Sequence, residues 1–197
     1  ITARAKNEVD AKNIIKPVKE RLKKDFSKFI FGEEHDTLPS VLIKELDKRN
    51  QTIVFAESCT GGLLSSSITS ISGSSQVFLG SIISYSNELK HLLLNISEDK
   101  LKKYGAVSEE VCEAMSINVK EKLRADWAIA ISGIAGPTGG SKEKPVGLVY
   151  ISIAGPNNHI TNIKKIFNST LNRTEIQRLS VNVCLNSLRL ILLSNSK

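Results

Sequence analysis

Two short, almost entirely apolar runs constrain the fold of this chain more than any other feature. They are "TIVFA", residues 52–56, and "WAIAIS", residues 127–132. A strand that is apolar on both faces is typical of the centre of a sheet that helices cover on both sides. Strand and helix patterns alternate from Thr52 onward, and this alternation predicts an α/β fold.

We therefore predict a three-layer α/β/α domain around a mixed, mostly parallel sheet. The further predicted strands are "VFLGSIISY", "GLVYISIAG" and, at the sheet edge, "HITNIKKIF". The predicted helices are residues 41–49, "GLLSSSITSIS", "NELKHLLL", a helix that Ser108 caps, and a final long helix over about 174–193.

Residues 1–36 are predicted to form a small N-terminal βαβ piece, with strands at "ITARAK" and "KFIFG" around a helix. Pro17 falls inside the helical pattern and implies either a kink or a helix that begins there. Such a small piece can barely bury its own faces, so we expect it to be the end of something larger. On this expectation the chain is a fragment that starts at Ile1, and its main domain covers residues 38–197.

The formal net charge of +7 is concentrated in residues 12–28, which hold seven basic and two acidic residues. Such a run is consistent with a surface that binds nucleic acid or phosphate. It is equally consistent with the solvated face of an amphipathic helix. No aromatic residues alternate with the lysines to stack on bases, so we expect no nucleic-acid partner. The helix would then bury a stripe of Ile14, Ile15, Val18, Leu22 and Phe26.

The cysteines bear on the cellular compartment. Cys59, Cys112 and Cys184 are odd in number and lack the spacing of metal ligands. This pattern favours reduced thiols, a cytoplasmic protein and no metal site. No apolar run approaches the roughly 20 residues that span a bilayer, and no signal peptide is visible, so we expect no membrane partner.

Three loops rich in polar residues and glycine follow predicted strands. They are "ESCTGG", residues 57–62, "SYSNELK", residues 84–90, and "SGIAGPTGGSKEKPVG", residues 132–147. Ligands of open α/β sheets bind outside the carboxyl ends of the strands. The three loops are therefore expected to form one pocket, provided that their strands are parallel neighbours.

The first loop places three potential nucleophiles in a row, Ser58, Cys59 and Thr60. Gly61 and Gly62 would let the backbone approach a ligand closely. Free N–H groups at the start of the next helix suit a phosphate or a developing oxyanion. A capped turn between a strand and a helix explains the same residues equally well.

The second loop contains Tyr85 and Lys90, which can both transfer protons. A lysine can act as the base for Ser58 if burial lowers its pKa from about 10.4. The alternative is that Lys90 is an ordinary surface lysine. The three histidines all lie outside the strand-end loops, at His35, His91 and His159.

The third loop matches neither the P-loop nor the dinucleotide fingerprint. Its backbone N–H groups could still surround a phosphate, and Ser132 and Ser141 could donate to the same ligand. The alternative is a long ordered loop that its prolines stiffen. The glycines concerned are Gly133, Gly136, Gly139 and Gly140.

Four motifs occur together and in order: "AESCTGG", "GSSQVFLGSIISYSNELK", "YGAVSEEV" and "SGIAGPTGGSKEKPVG". With them the chain resembles the C-terminal domain of the CinA (competence/damage-inducible protein) family over roughly residues 38–195. Residues 1–36 are similar to the end of the KH-like segment that precedes this domain in longer family members.

The resemblance implies an amidohydrolase without a cofactor, because family members include nicotinamide mononucleotide deamidases. It implies Ser58 as the nucleophile, with Lys90 and Tyr85 as its catalytic partners, and a homodimer. The implied substrate-binding residues are Thr60, Gly61, Gly62, Ser132, Gly133, Gly136, Gly139, Gly140 and Arg173.

One segment departs from the family pattern. "FNSTLNR", which ends at Arg173, is longer than usual and lacks a glycine. This departure leaves a second hypothesis open, in which the domain is a catalytically impaired module for nucleotide binding or assembly.

Overall fold

The structure is a computed structural model that describes residues 1–194. Five strands form one sheet in the order β2-β1-β3-β4-β5. The strands are β1 Ile53–Glu57, β2 Phe78–Ile83, β3 Trp127–Gly133, β4 Leu148–Ala154 and β5 Ile160–Ile166. The helices are α1 Glu8–Asp25, α2 Leu38–Lys48, α3 Leu63–Thr69, α4 Asn87–Leu94, α5 Glu98–Tyr104, α6 Glu109–Leu123 and α7 Arg173–Ser194.

The sheet is mixed, as predicted. β1 pairs in parallel with β2 and with β3, whereas β4 is antiparallel to both β3 and β5. Four of the five strands therefore point the same way. Glu57 at the end of β1 pairs with Ile83 of β2 and Ile131 of β3. The loops after these three strands consequently leave the sheet at one edge.

Helices cover both faces of the sheet, which confirms the three-layer α/β/α architecture. Side chains of β1 alternate between the layers, because successive residues of a strand point to opposite faces. Phe55 packs with α2, α3 and α7, while Val54 and Ala56 pack with α4, α5 and α6. All five residues of β1 are buried, which agrees with its central position.

The predicted N-terminal βαβ piece is wrong in its two strands. Residues 1–36 contain one helix, α1, and no strand, and Pro17 lies within that helix. The run "KFIFG" is apolar enough for a strand. However, an extended segment needs a neighbouring strand to pair its backbone groups, and none lies beside it.

The predicted buried stripe of α1 is also wrong, since α1 has no buried residue. Ile14, Val18 and Phe26 are about half exposed, at 55%, 49% and 48%. Part of the positive charge of this segment is compensated internally, because Lys19 and Lys23 both pair with Glu33.

Helix α7 is long and apolar enough, by length and composition alone, to cross a membrane. The sequence analysis found no such segment. The observation is weak support for a membrane span, because a core helix passes the same test. Here Ile176, Leu185 and Leu188 are buried in the core on one face of the sheet.

Candidate active site

The loops after β1, β2 and β3 enclose a cavity of about 250 Å³. Four other cavities are larger, at about 320 to 550 Å³, but in the described residues no hydrogen bond joins a hydroxyl that lines one of them to a lysine, histidine or carboxylate that lines it. We therefore place the site by its chemistry. The predicted residues that line the cavity are Ser58, Tyr85, Lys90, Ser132, Gly133, Gly136, Gly139 and Arg173.

Ser58 and Lys90 lie in direct contact. Lys90 Nζ is 3.0 Å from Ser58 Oγ and donates to the Ser84 carbonyl at 2.7 Å. The Ser58 N–H donates to the Ile131 carbonyl at 3.0 Å, which ties the serine to β3. Helix α4, capped by the Ser86 hydroxyl, carries Lys90. Lys90 is only 1% exposed, so it is not the ordinary surface lysine of the alternative interpretation.

The surroundings of Lys90 favour its neutral form. Burial lowers the pKa of Lys90 below its ordinary value of 10.5. Within residues 1–194, no carboxylate lies within ion-pair distance of its amine to offset this effect. A neutral amine beside a hydroxyl can accept the hydroxyl proton, as a general base requires.

Cys59 is a poorer nucleophile than its neighbour. Burial raises the pKa of the Cys59 thiol to about 12, so the thiol stays protonated near neutral pH. The thiolate, not the thiol, is the nucleophilic form of cysteine. Cys59 lines the cavity, but it is only 6% exposed and belongs to the hydrophobic core. Ser58 is therefore the better candidate nucleophile of the two.

The N–H groups of Gly61 and Gly62, which were predicted to bind substrate, and the hydroxyl of Thr60 are occupied within the protein. The Thr60 hydroxyl and the Gly62 N–H both donate to the Glu57 carboxylate, and the Gly61 N–H donates to the Ser58 carbonyl. None of the three residues lines the cavity. Their local role is conformational, because both glycines have positive φ angles of 59° and 103°.

Backbone donors remain available beside the nucleophile. In the described part of the chain, the N–H groups of Cys59 and Thr60 donate to no other residue. They directly follow Ser58 at the point where β1 ends. N–H groups in this position can stabilise negative charge on an oxygen that is bonded to the attacked carbon.

The glycine-rich loop, which lines the same cavity, contains similar donors. Among the residues that the structure describes, no protein acceptor receives the N–H groups of Ala135, Gly136, Thr138 and Gly139. Unpaired N–H groups on successive residues suit an anion. Gly140 lies outside the cavity, where a Cβ would meet the Val146 backbone N at 2.8 Å.

Ser132 organises the site rather than offering a free donor. Its hydroxyl donates to the Ala106 carbonyl at 2.7 Å, which fixes the segment "YGAVS" against the end of β3. The hydroxyl oxygen can still accept a hydrogen bond from a ligand. Ser141 does not line the cavity, and its hydroxyl accepts from the Lys144 N–H at 3.0 Å.

Arg173, at the start of α7, joins two of the loops. Its Nη1 donates to the Gly136 carbonyl at 3.0 Å, and its Nη2 donates to the Tyr85 hydroxyl at 2.7 Å. The longer segment "FNSTLNR" therefore still delivers this arginine to the cavity. Tyr85 makes no hydrogen bond to Ser58 or Lys90.

Glu57, Ala106, Val107 and Thr138 also lie in or beside the site, although no sequence motif predicted a role for them. Glu57 is the most informative of these, because an acidic residue at the end of a fully buried strand needs hydrogen-bond donors nearby. Thr60 and Ser65, three and eight residues later, are such donors in the sequence. No cluster of His, Cys, Asp and Glu within residues 1–194 could hold a metal ion.

Comparison with protein families and curated relatives gives consistent results. The family model of the CinA C-terminal domain matches residues 35–192. A CinA-like protein of Prochlorococcus marinus (strain MIT 9215) is 86% identical over 197 residues, which are 100% of this chain and 46% of that relative. A CinA-like protein of Trichormus variabilis is 45% identical over 98% of this chain and 47% of its own length. The chain thus spans about half the length of the curated relatives it matches.

Solved structures share the fold over most of the chain. The competence/damage inducible protein CihA from Agrobacterium tumefaciens is 34% identical, with a TM-score of 0.77 over 83% of this chain and 98% of that one. A competence-damaged protein (CinA) superfamily protein from Klebsiella pneumoniae is 27% identical, with a TM-score of 0.76 over 80% of this chain and 96% of that one.

Proposed function

The chain belongs to the family of the CinA C-terminal domain, and on that basis we propose that it is a cytoplasmic amidohydrolase that deamidates nicotinamide mononucleotide. The reaction consumes water and gives nicotinate mononucleotide and ammonia, as in pyridine nucleotide salvage. One observation carries the proposal: a buried lysine amine, with no carboxylate partner in the described residues, lies 3.0 Å from Ser58 Oγ.

In the proposed mechanism, Ser58 Oγ attacks the carboxamide carbon while Lys90 accepts the hydroxyl proton. Collapse of the tetrahedral intermediate breaks the C–N bond, and Lys90 returns the proton so that ammonia leaves. The resulting acyl-enzyme is an ester on Ser58. Lys90 then takes a proton from water and the hydroxide attacks the ester. As the second intermediate collapses, Lys90 returns that proton to Ser58 Oγ, and the acid product loses its own proton to solvent as the carboxylate is released.

The oxyanion of both tetrahedral intermediates is assigned to the N–H group of Cys59, which lines the cavity. This group follows the nucleophile directly and donates to no other described residue. Removal of a single donor of this kind typically costs about 10²–10³ in kcat. This assignment replaces the predicted role of the helix N-terminus at Gly62.

The phosphate of the substrate is assigned to Arg173 and the glycine-rich loop. Among the described residues no carboxylate lines the cavity, whereas Arg173 lines it together with Ala135, Gly136, Thr138 and Gly139, whose N–H groups have no protein acceptor. A guanidinium is well suited to a phosphate because it offers paired donors. The cavity of about 250 Å³ lies just below the range of roughly 300–1,000 Å³ typical of small-molecule sites, which favours a mononucleotide over a dinucleotide.

Ammonia release tests the proposed substrate. We expect nicotinamide mononucleotide to be hydrolysed, and nicotinamide riboside, which lacks the phosphate, to have a kcat/KM about 100-fold lower. One or two lost charge-assisted hydrogen bonds account for a factor of this size. The dinucleotide serves as the size control and should be a poor substrate. No ammonia from the mononucleotide above a protein-free blank would exclude the proposed activity.

The pH dependence tests the neutral lysine. A base must be unprotonated to act, so kcat/KM should be lost as the pH falls through the pKa of folded Lys90 and should rise to a plateau above it. Because burial lowers that pKa, the midpoint should lie below 10.5. Stopped assays between pH 5 and pH 11 measure the profile. Activity that decreases as the pH rises through neutrality contradicts the assignment.

A catalytically impaired module for nucleotide binding or assembly stays the second hypothesis. It depends on the altered segment before Arg173, and the position of Arg173 in the cavity, in contact with Tyr85 and Gly136, supports the catalytic proposal instead. The homodimer implied by the resemblance stays a proposal, and sedimentation of the purified protein would test it.

A further inference from the structure

Glu57 is the last residue of β1 and directly precedes the nucleophile, and the proposed reaction has so far given it no role. Its side chain is fully buried, with an exposed fraction of 0%. One carboxylate oxygen accepts from Thr60 Oγ1 at 2.6 Å and from the Gly62 and Leu64 N–H groups at 3.1 Å each. The other accepts from Ser65 N at 2.8 Å and Ser65 Oγ at 2.5 Å.

These five hydrogen bonds close the loop that contains Ser58 into a ring. Helix α3 begins after Gly62, which has no side chain to cap it. Its first N–H groups would otherwise be unpaired, and the Glu57 carboxylate satisfies them from the other end of the loop. The residue before the nucleophile is thereby fixed to the residues that follow the nucleophile.

The backbone of the same corner is fixed toward the base. The Ser84 N–H donates to the Glu57 carbonyl at 2.8 Å, and the Ser84 carbonyl accepts from Lys90 Nζ at 2.7 Å. The Ser58 N–H is bonded to Ile131 of β3. The strand side of the corner is thus held by main-chain bonds. On the α3 side, the Glu57 carboxylate accepts five hydrogen bonds, beside the bonds from the Gly61 N–H to the Ser58 carbonyl and from the Gln177 side chain to the Cys59 carbonyl.

The geometry points to Glu57 as a positioning residue that holds Ser58 Oγ within reach of Lys90 Nζ. It does not contact the substrate, and it acts through the shape of the 58–62 loop. The inference rests on the proposed function only in taking Ser58 as the nucleophile. It extends to any reaction in which Ser58 attacks an electrophile, whatever the natural substrate is.

Glu57→Gln changes this hydrogen-bond pattern with little change in side-chain size. Whichever way the amide lies, its NH₂ group faces backbone donors. These are the Gly62 and Leu64 N–H groups in one orientation and the Ser65 N–H in the other. At least one buried N–H then loses its acceptor, and the loop must shift to relieve the contact.

Labelling with a fluorophosphonate tests positioning without assuming the substrate. Ser58 Oγ bonds to phosphorus, fluoride leaves and Lys90 accepts the proton. Intact-mass measurements over time give both the rate constant and the final extent of labelling. We expect Glu57→Gln to lower the rate constant about 100-fold, because a misplacement of about 1 Å has an effect of this size. The extent should still reach about one label per chain.

Measuring the labelling rate constant separately from the final extent of labelling distinguishes a positioning role from a loss of folded protein. A purely structural role predicts a reduced extent with an unchanged rate constant for the folded fraction, and that result would overturn the inference. A matched control is Asp126→Asn, because Asp126 accepts from Thr52 N and Thr52 Oγ1 at the opposite end of β1. This variant should label within about twofold of the wild-type rate.

Two milder variants keep the test decisive if Glu57→Gln does not fold. Thr60→Val and Ser65→Ala each remove one hydroxyl donor to Glu57. Each should lower the labelling rate constant by about twofold to tenfold, which corresponds to one net hydrogen bond. Rates equal to that of Asp126→Asn in both variants would overturn the inference.

The outcomes for Glu57 and for the proposed function are separable. If the wild-type protein labels at Ser58 but releases no ammonia from nicotinamide mononucleotide, the substrate is wrong and the positioning role is still measured. If Glu57→Gln matches the wild type in both labelling and ammonia release, the function stands and the positioning role is wrong. If the wild type shows neither labelling nor ammonia release, both are overturned.

Discussion

Lys90→Met should lower kcat for ammonia release from nicotinamide mononucleotide by at least about 10³-fold while leaving the fold intact. General-base catalysis typically contributes 10²–10⁴-fold, and Lys90 also returns the proton to the leaving group. Methionine is similar in length and apolar, so it suits a position that is 1% exposed. The measurements are kcat by ammonia assay and the thermal unfolding midpoint.

The matched control for this variant is Lys102→Met on the adjacent helix α5. Lys102 pairs with Glu98 at 3.2 Å, and both side chains are largely exposed, so this variant should keep kcat within about twofold. If Lys90→Met keeps more than about a tenth of the wild-type kcat, Lys90 is not the base. Because kcat is measured at a temperature well below the unfolding midpoint, a loss of stability alone cannot produce the expected decrease in kcat.

Ser58→Ala should abolish ammonia release, with a loss of at least about 10⁴-fold, whereas Cys59→Ala should change kcat by less than about fivefold. A nucleophile and its base act as one unit, so removal of either costs nearly as much as removal of both. Cys59 differs because its thiol is protonated near neutral pH, with a pKa of about 12. The paired substitutions remove adjacent side chains of similar size, which makes each the control for the other.

The double variant of Ser58 and Lys90 sharpens the result. We expect Ser58→Ala combined with Lys90→Met to be no less active than Ser58→Ala alone, because their effects are not additive. Intact-mass detection of an acyl-enzyme adds a direct measurement on the wild type and on Cys59→Ala. If Cys59→Ala is inactive while Ser58→Ala retains turnover, the nucleophile is the thiol and the assignment is wrong.

The architecture could be predicted because its signals are local. The apolar runs around Phe55 and Ile129 are buried on both faces in the structure, as unbroken hydrophobicity in a short segment requires. The helix capped by Ser108 begins at Glu109, since the capping hydroxyl lies beside the N–H that it satisfies. At the N-terminus the same reasoning was wrong, because a strand also needs a partner, and the pattern of "KFIFG" does not contain that information.

The candidate site could be predicted only in part. The sequence indicated which loops meet, and the parallel pairing of β1 with β2 and β3 brings them together. It did not indicate which donors are already occupied. The Gly62 N–H and the Thr60 hydroxyl looked available for a ligand, yet both donate to Glu57. Hydrogen bonds between loop residues depend on the path of the backbone, which the spacing of residues does not fix.

By itself, the sequence determined the fold class, the family and the set of loops that carry polar groups, because hydrophobic pattern, caps and motifs are properties of neighbouring residues. Only the tertiary structure decided that Lys90 is buried against Ser58, that Cys59 is held as a thiol, and that Glu57 closes the helix terminus. The physical reason is the same in each case. Packing of the whole sheet determines which groups are buried and which residues become neighbours, as for Ser58 and Lys90, which are 32 positions apart in the sequence. Burial and these neighbours then set the pKa and the hydrogen-bond partners of each group.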